Sequence, residues 1–137
     1  MKSRLFLILT ALVCLGGCDT VQEFTQERYS RNSDLGKAWL SDQVLPPEIN
    51  VVGNWRSSVW GDSFLSQDGS RVRGHLGDYP VEGVVSGQKV YLLASQGGWY
   101  YYSMVLEMPG PDILIGYYSR GVPYKTANRV DLRLDRK

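Results

Sequence analysis

The chain has 137 residues, enough for one domain of ordinary size, and its 43% hydrophobic and 21% charged residues are the balance of a folded protein rather than a disordered one. Fifteen Lys and Arg stand against fourteen Asp and Glu. That near-neutral balance excludes the basic footprint of a nucleic-acid binder, and without a polybasic run it excludes attachment to an anionic membrane by charge alone.

The first element is apolar. Lys2 and Arg4 precede the eleven-residue run from Leu5 to Leu15, and Gly16-Gly17 follows. A positive start, a short apolar stretch and two small residues are the layout of a secretion signal, here residues 1–17. A membrane-spanning helix needs about 20 apolar residues, and this run stops short of that. The segment Leu15-Gly16-Gly17-Cys18 resembles the bacterial lipobox, an aliphatic residue and two small residues before a cysteine. The resemblance implies a lipoprotein: a diacylglyceryl thioether on Cys18, cleavage before it, and a further acyl chain such as palmitate on the new amine. Two or more chains anchor stably, whereas one gives only marginal membrane residence. The chain is then expected to be lipid-anchored in the bacterial cell envelope, facing the periplasm. Asp19, after the cysteine, resembles the signal that keeps lipoproteins of enteric bacteria in the inner membrane; the outer membrane is the alternative. Cys14 leaves with the signal and Cys18 is consumed as a thioether, so stability is expected to come from packing rather than a disulfide.

Residues 18–47 read as a lipidated N-terminus, a polar tether and a short helix. The stretch from Asp19 to about Asn32 is polar and reads as solvated tether. A short helix follows, capped by Ser33 or Asp34, with Leu35, Ala38 and Trp39 on one face. Pro46-Pro47 blocks its continuation.

From 48 to 137 the texture changes to β-rich runs about every ten residues, separated by Gly, Pro, Asp and Ser. Strands are expected near 50–58, 62–67, 70–76, 79–86, 88–95, 98–107, 112–119 and 127–135. Asp68-Gly69 is the strongest hairpin signal, and the last connection centres on Arg120-Gly121-Val122-Pro123. Val130, Leu132 and Leu134 alternate with Arg129, Asp131, Arg133 and Asp135, as in a sheet with one buried and one wet face. Val90, Leu92 and Ala94 alternate with Lys89, Tyr91 and Leu93 in the same way. The fold class is therefore all-β: a small antiparallel meander of about eight strands, closed as a barrel or folded as a sandwich. Gly74, Gly83 and Gly116 suit sites of strong coiling or close backbone approach.

Gly53-Asn54-Trp55 on the first strand resembles the Gly-x-Trp opening of the lipocalin-like, or calycin, barrels. The resemblance covers about residues 50–137. It implies that Trp55 closes one barrel end under an arginine from a late strand, with Arg129 and Arg133 as candidates. It also implies a second possible role, the binding of a small apolar molecule or lipid.

Catalytic signals are missing from the pattern. There is no nucleophile elbow, phosphate loop or dinucleotide fingerprint. His75, the single histidine, shares a strand face with Arg71 and Arg73 and reads as an exposed side chain, so neither a triad nor a zinc site is expected. No cofactor and no enzymatic activity are expected. The unusual feature is aromatic: Trp99, Tyr100, Tyr101 and Tyr102 on one strand, Tyr117 and Tyr118 on the next. Successive side chains fall on opposite faces, so one set should enter the core and the other leave an aromatic strip outside. Such rings either stabilise a sheet or form a contact surface. The reading is a binding or assembly role, in which the strip contacts a partner protein of the envelope.

Overall fold

The computed structural model describes residues 17–122 and 124–137. The signal segment up to Gly16, Pro123 of the last connection, and the side chains of 17–22 and 24, Cys18 among them, lie outside the described residues. One helix, α1 (Gly17–Ser41), precedes eight strands: β1 (Gly53–Ser57), β2 (Gly61–Asp68), β3 (Arg71–Leu76), β4 (Tyr79–Ser86), β5 (Lys89–Gln96), β6 (Trp99–Gly110), β7 (Ile113–Arg120) and β8 (Val130–Arg136). Each strand pairs antiparallel with the next, and β8 pairs back with β1, so the sheet closes into a barrel rather than a sandwich. The expected strands agree with these to within three residues at either end.

Period-two burial explains the closure. Along β5, Val90, Leu92 and Ala94 point inward and are fully buried; along β8, Leu132 and Leu134 do the same. They pack with Trp55, Leu65, Leu76, Met104, Leu106 and Leu114 into one interior cluster. An eight-stranded barrel has an interior just wide enough for such side chains to fill it. A Cβ at Gly74, Gly83 or Gly116 would run into the carbonyl oxygen of Phe64, Tyr91 or Val105, so these positions carry the close backbone approaches that bend the wall.

An up-and-down barrel has two kinds of end. The upper end carries the β1–β2, β3–β4 and β5–β6 turns and the β7–β8 connection; the lower end carries the other turns and the entry to β1. Trp60 closes the upper end, edge-on to Tyr79, Tyr102 and Tyr118 at centroid distances of 5.2, 5.0 and 5.5 Å. Trp55 closes the lower end, with Nε1 donating to Val51 O at 2.9 Å.

The arginine on Trp55 is Arg136, its guanidinium 4.3 Å from the ring centre. Neither Arg129 nor Arg133 takes that place. Arg133 is an odd position of β8 and faces solvent, and Arg129 precedes the strand and lies over Tyr117. Arg136 continues the inward series of Leu132 and Leu134 and is the register partner of Trp55. It donates to Pro111 O and Val52 O. Its guanidinium occupies the space a side chain at Gly53 would need.

The helix differs most from expectation. Residues 19–32 are helical, not a loose tether, and Ser33 and Asp34 sit within α1 rather than capping it. No Gly or Pro interrupts the chain between Cys18 and Gly36, and Gln, Glu and Arg are good helix formers. The face against the barrel is also not the one expected. Asn32 and Gly36 are buried and Trp39 is half-buried, whereas Leu35 and Ala38 are exposed. After α1 the chain crosses the lower end, where Leu45 N donates to Ser86 Oγ and Glu48 N to Gly87 O, both at 2.9 Å.

Candidate functional site

The outer surface of the barrel is covered in two places. The first cover is α1, lying on β5 and β6. Asn32 acts there as a two-pronged clamp. Its Oδ1 accepts from Tyr100 N at 2.8 Å and its Nδ2 donates to Tyr100 O at 3.2 Å. Gly36 lets the helix backbone sit against the Tyr100 ring and Leu93. Trp39 packs edge-on against Tyr91 and stacks on Tyr124, at 5.6 and 6.3 Å. The second cover is the β7–β8 connection, which folds back over β6 and β7. Ser103 Oγ donates to Gly121 O at 2.9 Å, and Lys125 N donates to Ser119 Oγ at 3.1 Å, so two buried serines hold the loop down.

Between these covers and β1 the outer face is open, and it forms a groove of about 710 Å³. Its position follows from register. Lys89, Glu107, Ile115 and Arg133 form one cross-strand row, and Tyr91, Val105, Tyr117 and Asp131 the next. Val105, Ile115 and Gly116 make the floor. Tyr124, Tyr117 and Arg129 stand on one bank, the Arg129 guanidinium 3.7 Å from the Tyr117 ring centre. On the other bank Lys89 pairs with Glu107 at 3.6 Å, and Arg133 is held by Asp135 through two nitrogens. At its far end the groove reaches Ser58 and Val59 of the β1–β2 turn. An apolar floor framed by an aromatic ring, a stacked guanidinium and fixed ion pairs is suited to noncovalent contact.

The structure separates the six aromatic residues expected to form one strip. Tyr102 and Tyr118 point inward and belong to the upper closure. Tyr100 is buried beneath α1, and Trp99 lies against Tyr29 at 4.9 Å. Tyr101 is exposed at the rim, where a register shift between Ala94 and Ser95 takes it out of the ladder. Tyr117 alone of the six lines the groove. An unbroken aromatic strip open to solvent is therefore absent among the described residues, because α1 takes one part of it and the interior another. Two contributors escaped the sequence reading. Arg136 could have been found from the alternation of β8. Asn32 gave no signal, since a clamp to a strand 68 residues away leaves no local pattern. Tyr124 joins Tyr117 at the groove from the β7–β8 connection.

His75 is exposed on the opposite wall, its Nδ1 3.1 Å from Gly77 O. Tyr100 Oη donates to Glu82, and burial first and that carboxylate second push its phenol well above the usual 10.0. Among the described residues no three His, Cys, Asp or Glu side chains gather as a metal site, and no helix is long and apolar enough to cross a membrane. No family model, curated protein or solved structure matches this chain.

Proposed function

We propose that the chain is a lipid-anchored protein of the bacterial envelope with a non-catalytic binding role, and that it contacts a partner protein through the outer groove over β6–β8. The observation that carries the reading is the contrast between a filled interior and an open outside. The inward side chains pack on one another and aromatic rings close the upper end, whereas the groove leaves Tyr117, Ile115 and Arg129 accessible to a partner. Binding through the outer wall is favoured over a ligand within the barrel for the same reason. The anchor rests on Leu15-Gly16-Gly17-Cys18, and α1 supports it mechanically. From Tyr29, at the upper rim, the helix continues back to Gly17, roughly 18 Å at 1.5 Å per residue. Acyl chains at Cys18 would hold the barrel on a helical stalk, with the groove along its side.

Two measurements test this in cells. A photo-crosslinking residue at Tyr117 is expected to capture a discrete protein partner, and the same residue at Phe64, on the bare wall, to capture none. Equal capture at both positions, or none at Tyr117, removes the groove from the proposal. Cys18→Ser is expected to move the protein out of the membrane fraction, and its retention there would overturn the anchor.

A further inference from the structure

The barrel's least paired seam lies at the end of this groove. β1 pairs with β8 only at Trp55–Arg136 and Arg56–Asp135, whereas every other pair of neighbouring strands is joined at five or more positions. The chain leaves β1 after Ser57 for its turn, and the stretch of β8 from Leu134 up to Val130 has no register partner on that side.

Two hydrogen bonds show which backbone groups are affected. Arg136 N donates to Asp112 O, towards β7, and Lys137 N donates to Asn54 O, towards β1, both at 2.9 Å. In an antiparallel ladder alternate residues aim N–H and C=O at the same neighbour. The odd residues of β8 therefore face β1, and Asp131 and Arg133 are those beyond the last pair. Their N–H and C=O groups border the groove where Ser58 and Val59 form the opposite bank. Val59 and Val130 are 52% and 46% exposed there, although Val130 is in phase with the inward residues of its strand.

We propose that this edge binds an extended peptide segment of another protein, which adds as a short strand to β8 beside the β1–β2 turn. The proposal rests on the groove being the binding face and names what it takes. Donors and acceptors alternating along a free strand edge are matched by another extended backbone. Inward side chains of the segment meet Val59 and Val130. Outward ones meet Arg129 and Asp131, one charge of each sign, so affinity comes from backbone and apolar contacts rather than from net charge.

The test displays random twelve-residue peptides to the detergent-solubilised protein purified from membranes. Enriched peptides are expected to alternate apolar and polar residues. Arg133→Pro removes a seam-facing N–H without touching a bond to β7, and is expected to weaken them about tenfold or more beyond the effect of Arg133→Ala, which removes the side chain and keeps the N–H. On the unaltered protein, N-methylation of one alternate set of peptide residues should abolish binding and that of the other set leave it. That measurement stands even if Arg133→Pro does not fold. Failure to enrich any peptide, or equal binding of both N-methyl series, overturns strand addition. If Tyr117→Ala abolishes peptide binding while Arg133→Pro leaves it intact, the groove stands and strand addition is wrong; loss of the Tyr117 crosslink as well removes both.

Discussion

The wall formed by β5 and β6 and the wall formed by β2 and β3 obey the same alternation and bury different amounts. On β3, Val72 and Leu76 face the interior, and Arg71, Arg73 and His75 face water. On β5, Val90, Leu92 and Ala94 face the interior, but outward Leu93 is also fully buried, beneath α1. One wall is therefore held from inside only and the other from both sides. Complete burial of a leucine is worth about 1.5–3 kcal/mol, so Leu93 alone makes the second layer a sizeable part of a marginal total. The groove lies where the second layer ends, on the uncovered outer face of β6–β8.

The largest effect should come from the layer both walls share. Trp55 is fully buried, bonded to Val51 O and covered by Arg136. Trp55→Ala is expected to cost about 3–5 kcal/mol, read as a lower midpoint in urea with the slope unchanged. A loss below about 1 kcal/mol would mean that the lower end is not part of a continuous interior.

A smaller change tests the second layer by its sign. In an isolated helix Gly36→Ala would stabilise by about 1 kcal/mol. Here the new methyl would lie 2.6 Å from Tyr100 Cε2 and 2.9 Å from Leu93 Cδ1, and overpacking of that kind costs about 1–3 kcal/mol. A net loss is expected in the same titration. A gain would show that α1 stands free of the barrel, and the two walls would then be equivalent. His75→Ala on the single-layered wall should stay within about 0.5 kcal/mol either way.

The barrel was legible because its rule is local. Leu132 and Leu134 between Arg and Asp residues, repeated through eight runs with Gly-rich turns, specify inward and outward at each position. The second layer was not legible for the converse reason. Asn32 and Gly36 are a polar residue and a residue without a side chain, yet they are the positions that meet the wall; Leu35 and Ala38 looked like the buried face and are exposed. A contact made by an amide clamp and a missing methyl leaves no apolar periodicity to read. The aromatic cluster was misread through the same omission. With no helix in view, Tyr100 is an outward ring available to a partner; with α1 in place it is an interior ring. The groove was half visible, through Tyr117, and the seam that ends it depends on where β1 turns away, which alternation does not encode.

The last effect concerns Tyr100 and separates the two walls by pH. Its phenol is buried under α1 and donates to Glu82, and both raise its pKa above the ordinary 10.0, burial more than the carboxylate. In the unfolded chain this group loses its proton near 10, whereas in the folded chain it keeps it to higher pH. The unfolded state then binds fewer protons, so stability falls as pH rises above about 10, by up to about 1.4 kcal/mol per unit, and the group adds no pH dependence well below that. Other tyrosines titrate in the same range, so the comparison must be with Tyr100→Phe. That variant should lose about 1 kcal/mol at neutral pH, with the hydrogen bond, and decline less steeply than the unaltered protein between pH 10 and 11. The midpoint in urea, followed by circular dichroism at closely spaced pH values, measures both slopes. Equal slopes would mean that the phenol titrates as it does in water and that α1 does not shield it, and the double-layered wall would reduce to a single one.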